Sequence, residues 1–174
     1  MDVVFLIMVL ALIFLYYLIF HRSHRNYRHE KNQKTAVRIY LKLKTFETKG
    51  QQINYLKQIN PYVFEELILY SLEKRGLKVI RNKRYSGDGG IDGRFYYNDT
   101  LFYVQAKRYK KHINKKHVVE FENIVSTNKV KGIFCHTGVT GKGSKEEFSK
   151  SSRVSFYSGS KLVNLLFSED VILM

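Results

Sequence analysis

Cysteine and proline each occur once in the 174 residues, and acidic side chains are outnumbered two to one by basic ones. The lone Cys135 has no partner, which excludes a disulfide within the chain and a cysteine-based zinc site. Set in an apolar run, it reads as a small buried hydrophobe in a reducing environment. No internal repeat, low-complexity tract, zinc finger or helix-turn-helix pair is visible. Residues 137–145 carry glycine and lysine, but not at the Gly-x-x-x-x-Gly-Lys-Ser/Thr spacing of a phosphate loop, so they read as a mobile loop. The shortage of acids leaves a net charge of +15, which calls for a polyanionic partner. Arg108, Lys110, Lys111, Lys115 and Lys116 concentrate that charge in one stretch, where nucleic acid accounts for both sign and placement. Contacts of this kind hold phosphates and read little sequence.

Two segments are positively informative. Residues 3–20 are all apolar or tyrosine. As a helix they would extend about 27 Å, close to the ~30 Å of a bilayer's hydrocarbon. Asp2 stands where a signal peptide would be basic, and no small-residue cleavage site follows Phe20. Arg22, Arg25, Arg28 and Lys31 come next, so a single-pass anchor is expected, with the short N-terminus outside and the rest in the cytoplasm. Tyr16 and Tyr17 suit the interface, and membrane lipid becomes an expected partner.

The second segment, residues 85–109, sets a carboxylate in a glycine turn ahead of a β-rich strand. Residues 91–95 are expected to pair antiparallel with residues 101–107 through Asn98-Asp99. A period of two puts Gln105 and Lys107 on one face with Tyr103, and Val104 and Ala106 on the other. Asp92 then comes beside Gln105 and Lys107. A carboxylate, an amide oxygen and a backbone carbonyl suit Mg²⁺, and a lysine beside them can meet a phosphate. Alone, Asp88 is a turn-former and Lys107 a solvated edge charge. The combination with an unpaired Gln on the same strand face points to a site.

Upstream, Asn60 is a helix cap and Pro61 the first helical residue of a helix reaching Lys74. Its apolar positions Phe64, Leu67, Ile68 and Leu72 leave Glu65 at the edge of the buried stripe. Residues 21–59 read as a basic linker or stalk, with a helix of moderate quality broken near Gly50.

From about residue 60 to 166 these motifs resemble the Mrr-like restriction endonucleases of the PD-(D/E)XK nuclease superfamily. The resemblance rests on the Phe64-Glu65 step, the Gly76-Leu77-Lys78-Val79-Ile80 strand and the Gly87-Asp88-Gly89-Gly90-Ile91-Asp92-Gly93 turn. The Val104-Gln105-Ala106-Lys107-Arg108 strand and the later apolar strand ending in Thr137 complete it. It implies that Asp92 is the metal-binding acid, Lys107 the catalytic lysine and Gln105 the occupant of a place usually held by an acid. Glu65 would then supply the missing charge, with the Ala106 carbonyl as a further ligand, and Asp88 would support the turn.

The expectation is therefore an α/β fold, a central mixed sheet flanked by helices in the order α-β-β-β-α-β-α-β-α. It comprises an anchor (1–20), a linker (21–59) and a nuclease domain (60–174). The expected activity is Mg²⁺-dependent hydrolysis of DNA phosphodiesters, with Mn²⁺ able to substitute, in restriction or defence. A catalytically inactive membrane-tethered DNA-binding protein, a branched-DNA nuclease and a structural membrane protein are the competing readings. Double-strand cleavage would need two sites, hence a homodimer.

Overall fold

The computed structural model describes residues 3–82 and 89–168, with the side chains at 3, 4, 6, 19, 21–26, 147 and 150 also left out. In chain order its elements are α1 (Val3–Leu43), α2 (Lys49–Leu56), α3 (Pro61–Lys74), β1 (Lys78–Arg81), β2 (Gly93–Tyr97), β3 (Thr100–Lys107), α4 (Lys115–Thr127), β4 (Lys131–His136), α5 (Lys142–Lys150), β5 (Val154–Tyr157) and α6 (Gly159–Phe167).

Local chemistry sets most of these boundaries. Asn60 accepts from the Tyr62 amide and Pro61 opens α3, as its sequence implies. Thr48 and Gln51 cap α2 reciprocally, and Asn114 caps α4. Asn98 and Asp99 take φ of 47° and 57°, the left-handed pair that lets a two-residue turn follow the twist of β2 and β3.

The five strands form one sheet in the order β1-β2-β3-β4-β5. β1, β2 and β3 are antiparallel neighbours, while β3, β4 and β5 run parallel through helical crossovers. One face packs Val104, Ala106, Ile133 and Cys135 under α3, α6 and the end of α1. The other packs Tyr103, Phe134 and Val154 under α4. The alternation expected along β3 is thus present. β3 and β4 are covered on both faces, which is why their sequences are nearly continuous apolar runs.

Three expectations change. Residues 21–59 contribute Ala36, Ile39, Tyr40, Leu43 and Leu56 to the core, so this segment is packed structure where a linker was expected. The apolar positions on α1 and α2 are too sparse to declare themselves without α3 and α6 opposite them. The chain breaks between Leu43 and Lys49, and Gly50 lies inside α2. Likewise α5 starts at Lys142, inside the stretch expected to be a loop, because Ser144 and Phe148 find cover on the α4 face.

The apolar half of α1 is exposed on all sides. Leu12, Ile13, Phe14 and Leu15, successive positions around the helix, are each more than half exposed. Among the described residues no helix is long and apolar enough to cross a membrane. The expected anchor therefore gains no support there, four side chains of its run being outside the described set.

Candidate active site

The β2–β3 ladder ends in a substitution of side chains for backbone. The Asp92 amide donates to the Val104 carbonyl at 2.8 Å, and one residue pair further on the partner changes. There the Ala106 N–H donates to Asp92 Oδ2 at 2.7 Å, so the carboxylate occupies the place of a strand carbonyl. Gln105 Nε2 donates to the Gly90 carbonyl at 2.6 Å, and the Asn82 amide donates to the Ile91 carbonyl. These three bonds stand in for part of the ladder that the strand no longer makes, and the one from Ala106 ties Asp92 to the edge of β3.

Two glycines permit this approach. Gly90 has φ +87°, and a Cβ on it would lie 2.8 Å from Gln105 Nε2. A Cβ at Gly93 would come within 2.6 Å of Leu69, so its absence lets α3 close on β2. That closeness delivers Glu65 from the layer opposite to Gln105 and Lys107, over the strand end.

Electrostatics ties the three groups together. Burial, then the Asp92 charge, pushes the Glu65 carboxyl up to about 8, with Lys107 opposing. Burial raises Asp92 to about 6 against the pull of Lys107 and the Ala106 N–H. Glu66, next in sequence, is committed elsewhere. Arg81 donates to it at 2.8 Å, while gripping Glu73 through both terminal nitrogens.

Among the described residues no group of three or more His, Cys, Asp or Glu side chains gathers to hold an ion. The donor set here is of another kind. Gln105 Oε1 is buried without a hydrogen-bond partner among the described residues. In an antiparallel ladder a residue's N–H and C=O face the same neighbour, so Ala106 turns its carbonyl to the side where Asp92 lies. Two carboxylates, an orphaned amide oxygen and a carbonyl fit a hard divalent cation.

Other expected residues fall differently. Asp88 lies outside the described residues. Arg108 turns inward, and its Nη1 donates to the Lys57 carbonyl at the end of α2, 3.2 Å away. Lys110, Lys111, Lys115 and Lys116 are exposed, Lys116 lying 3.7 Å from Glu120. His136 is opposite Lys107 in register but wholly enclosed, and burial lowers it to about 4, leaving it neutral.

Sequence reasoning missed two supports. Asn82 bonds both the Ile91 carbonyl and Arg94, bracing the turn from β1. Thr137 clamps the chain just past Lys107, its hydroxyl accepting from the Tyr109 amide at 2.9 Å and donating to the Tyr109 carbonyl at 2.8 Å. An Asn at a strand end and a Thr closing a strand were the available signals. Neither indicates its partner.

No curated protein sequence matches the chain. Among solved structures it is similar to the MspJI restriction endonuclease in complex with a 27-mer oligonucleotide, at TM-score 0.50 and 18% identity. That match covers 67% of this chain and 30% of the other, so the chain spans under a third of that protein's length. The likeness concerns the fold. The Mrr_cat profile, described as restriction endonuclease, matches residues 56–166. This stretch is more than half of the chain and contains the Glu65, Asp92, Gln105 and Lys107 cluster, and the chain belongs to the Mrr_cat restriction endonuclease family.

Proposed function

We propose that this protein is a divalent-metal-dependent endonuclease that hydrolyses DNA phosphodiester bonds, held at a membrane by the apolar half of α1. The observation that carries the catalytic part is the Asp92 carboxylate locked into the β3 ladder beside Lys107, with Glu65 in electrostatic reach. Satisfying the Ala106 amide accounts for the placing of Asp92, but not for a second buried carboxyl, Glu65, whose pKa is raised by burial and by the Asp92 charge.

Asp92, Glu65 and the Ala106 carbonyl are the residues to hold Mg²⁺, or Mn²⁺ in its place. When bound, the ion supplies a water of lowered pKa and polarises the phosphoryl oxygen. Lys107 neutralises the charge that develops on the phosphate. Gln105 anchors the turn through its NH₂ group, and its unpartnered oxygen is left to orient water or the ion. The exposed lysines 110, 111, 115 and 116 hold the duplex by its phosphates.

Lipid is the environment that suits α1. Its exposed apolar side chains surround the helix, whereas a protein partner would need one stripe. Among the described residues α1 falls short of a membrane-crossing helix; the reading rests on the full run of residues 3–20, which as a helix would extend about 27 Å, and on its basic flank, which favours the cytoplasmic side.

Incubating the full chain with plasmid, linear, methylated and branched DNA, with and without Mg²⁺, tests the enzymatic part. Metal-dependent cleavage that vanishes in Asp92→Ala and Lys107→Ala is the expected result. Salt-sensitive binding with no cutting of any substrate would instead establish an inactive DNA-binding protein.

A further inference from the structure

α1 and α3 run side by side in the same sense. His29 lies against Glu66, with 3.5 Å between Nδ1 and Oε1, and Tyr40 packs further along against Tyr70 and Phe167. Glu66 is in the first half of α3 and adjoins Glu65, whereas Tyr70 is in the second half and Phe167 ends α6. The start of α3 is at the catalytic end of the sheet. α4, α5 and α6 also begin there, each following the C-terminal end of the parallel strand before it. The end of the domain from which the apolar half of α1 projects is therefore the catalytic end.

Helix geometry sets the spacing. α1 is continuous from Val3 to Leu43, and His29 is nine positions beyond Phe20. At 1.5 Å per residue the apolar run ends about 14 Å beyond the level of Glu66. Because Ala36, Ile39, Tyr40 and Leu43 are buried in the core, α1 leaves the domain as a fixed strut.

Resting on the reading of α1 as a membrane anchor and of the cluster as a nuclease site, we infer that the catalytic edge is the one that faces the bilayer, the apolar run ending about 14 Å beyond the level of Glu66. Its substrate is then DNA lying against, or emerging at, the membrane surface. Arg28 on α1 and Lys110, Lys111 and Lys142 at the catalytic end of the domain are exposed. They give this end the positive potential that a phosphate backbone needs.

Orientation can be measured without cleavage. Full-length protein is reconstituted in phosphatidylcholine vesicles containing some phosphatidylglycerol and a headgroup-labelled energy acceptor. A donor dye is placed at Val139→Cys, exposed at the catalytic edge, or at Thr127→Cys, exposed at the opposite edge. The native Cys135 is fully buried and does not compete for the dye. The edges are about 26 Å apart along β3, so transfer should be several-fold stronger from Val139→Cys. Equal or reversed transfer overturns the orientation, and no transfer from either site overturns it by showing that lipid does not surround α1.

A second arm uses a duplex bearing cholesterol on one 5′ end, anchored in the same vesicles with Mg²⁺ present. Cuts should fall within roughly the first helical turn, about 10 base pairs, but along the whole duplex when the protein is in detergent. The same distribution in both overturns the proposal. Absence of cuts in both overturns the substrate assignment and the nuclease reading together, while the dye result still decides the orientation by itself.

Discussion

The two ends of the β2–β3 hairpin are made of the same two strands and held in opposite ways. At the closed end Tyr97 pairs with Thr100, and Asn98 and Asp99 turn the chain with backbone dihedrals that suit their residue types. At the open end Asp92, Gln105 and Asn82 side chains take over the bonds that a continuing strand would have made. The closed end is stabilised by what is local in sequence. The open end needs β1, β2, β3 and α3 together, and the same bonds that satisfy the backbone aim the chemical groups. Structure and chemistry are separable at one end and inseparable at the other.

Asp92→Ala should break the open end most severely. It removes a ligand and leaves the Ala106 amide unsatisfied. Single-turnover cleavage should fall about 10³-fold, and urea midpoints should report a loss of about 1 to 3 kcal/mol. Asp99→Gly at the closed end should leave cleavage unchanged, since glycine accepts the left-handed turn. An Asp99→Gly variant as impaired as Asp92→Ala would erase the contrast.

Glu65→Gln should separate function from stability. Cleavage should drop about 10²-fold, yet the metal-free protein should gain on the order of 1 to 3 kcal/mol at pH 9. The sign follows from the raised carboxyl of the folded state. Its contribution to stability is complete below the ordinary carboxylate range and is lost as pH rises through about 8. Metal-free thermal unfolding followed from pH 5 to 9 should therefore show declining stability, restored by Mg²⁺, and Glu65→Gln should flatten the decline. At limiting Mg²⁺, wild-type cleavage should rise as the pair deprotonates between about 6 and 8.

Gln105→Glu sharpens the comparison more subtly. It would restore an acid at the position but set an oxygen against the Gly90 carbonyl, where Nε2 now donates. The metal-free protein should lose about 1 to 3 kcal/mol by urea titration, with most of the loss recovered in saturating Mg²⁺. No loss would mean that the amide does not hold the turn. The smallest effect belongs to Lys111→Ala, away from the ladder, which should lower the salt slope of DNA binding by about 1 and leave stability unchanged.

Much of the hairpin was legible beforehand. Alternation sorted Tyr103, Gln105 and Lys107 from Val104 and Ala106, and Asn98-Asp99 marked the turn, because strand period and turn dihedrals are properties of neighbouring residues. Glu65 was named through the family resemblance, while its position in the helix showed no more than an edge carboxylate. Arg108 was read as a phosphate contact from its basic neighbours, and the end of α2 claimed it, a partner fifty-one residues away in sequence. Residues 21–59 looked like a linker since a helix face reveals its cover only when that cover is present.

The sequence by itself determined the strand order of the hairpin, the N-terminal cap of α3, the candidate cluster of Asp92, Gln105 and Lys107, and the excess of positive charge. Tertiary structure alone decided where Glu66 goes, since Arg81, fifteen residues on, draws it away from Glu65. It also decided that α1 leaves the domain at its catalytic end. Both are matters of how helices and sheet lie across one another. That arrangement depends on close packing at places such as Gly93 against Leu69, and on contacts distant in the chain, which no local period encodes.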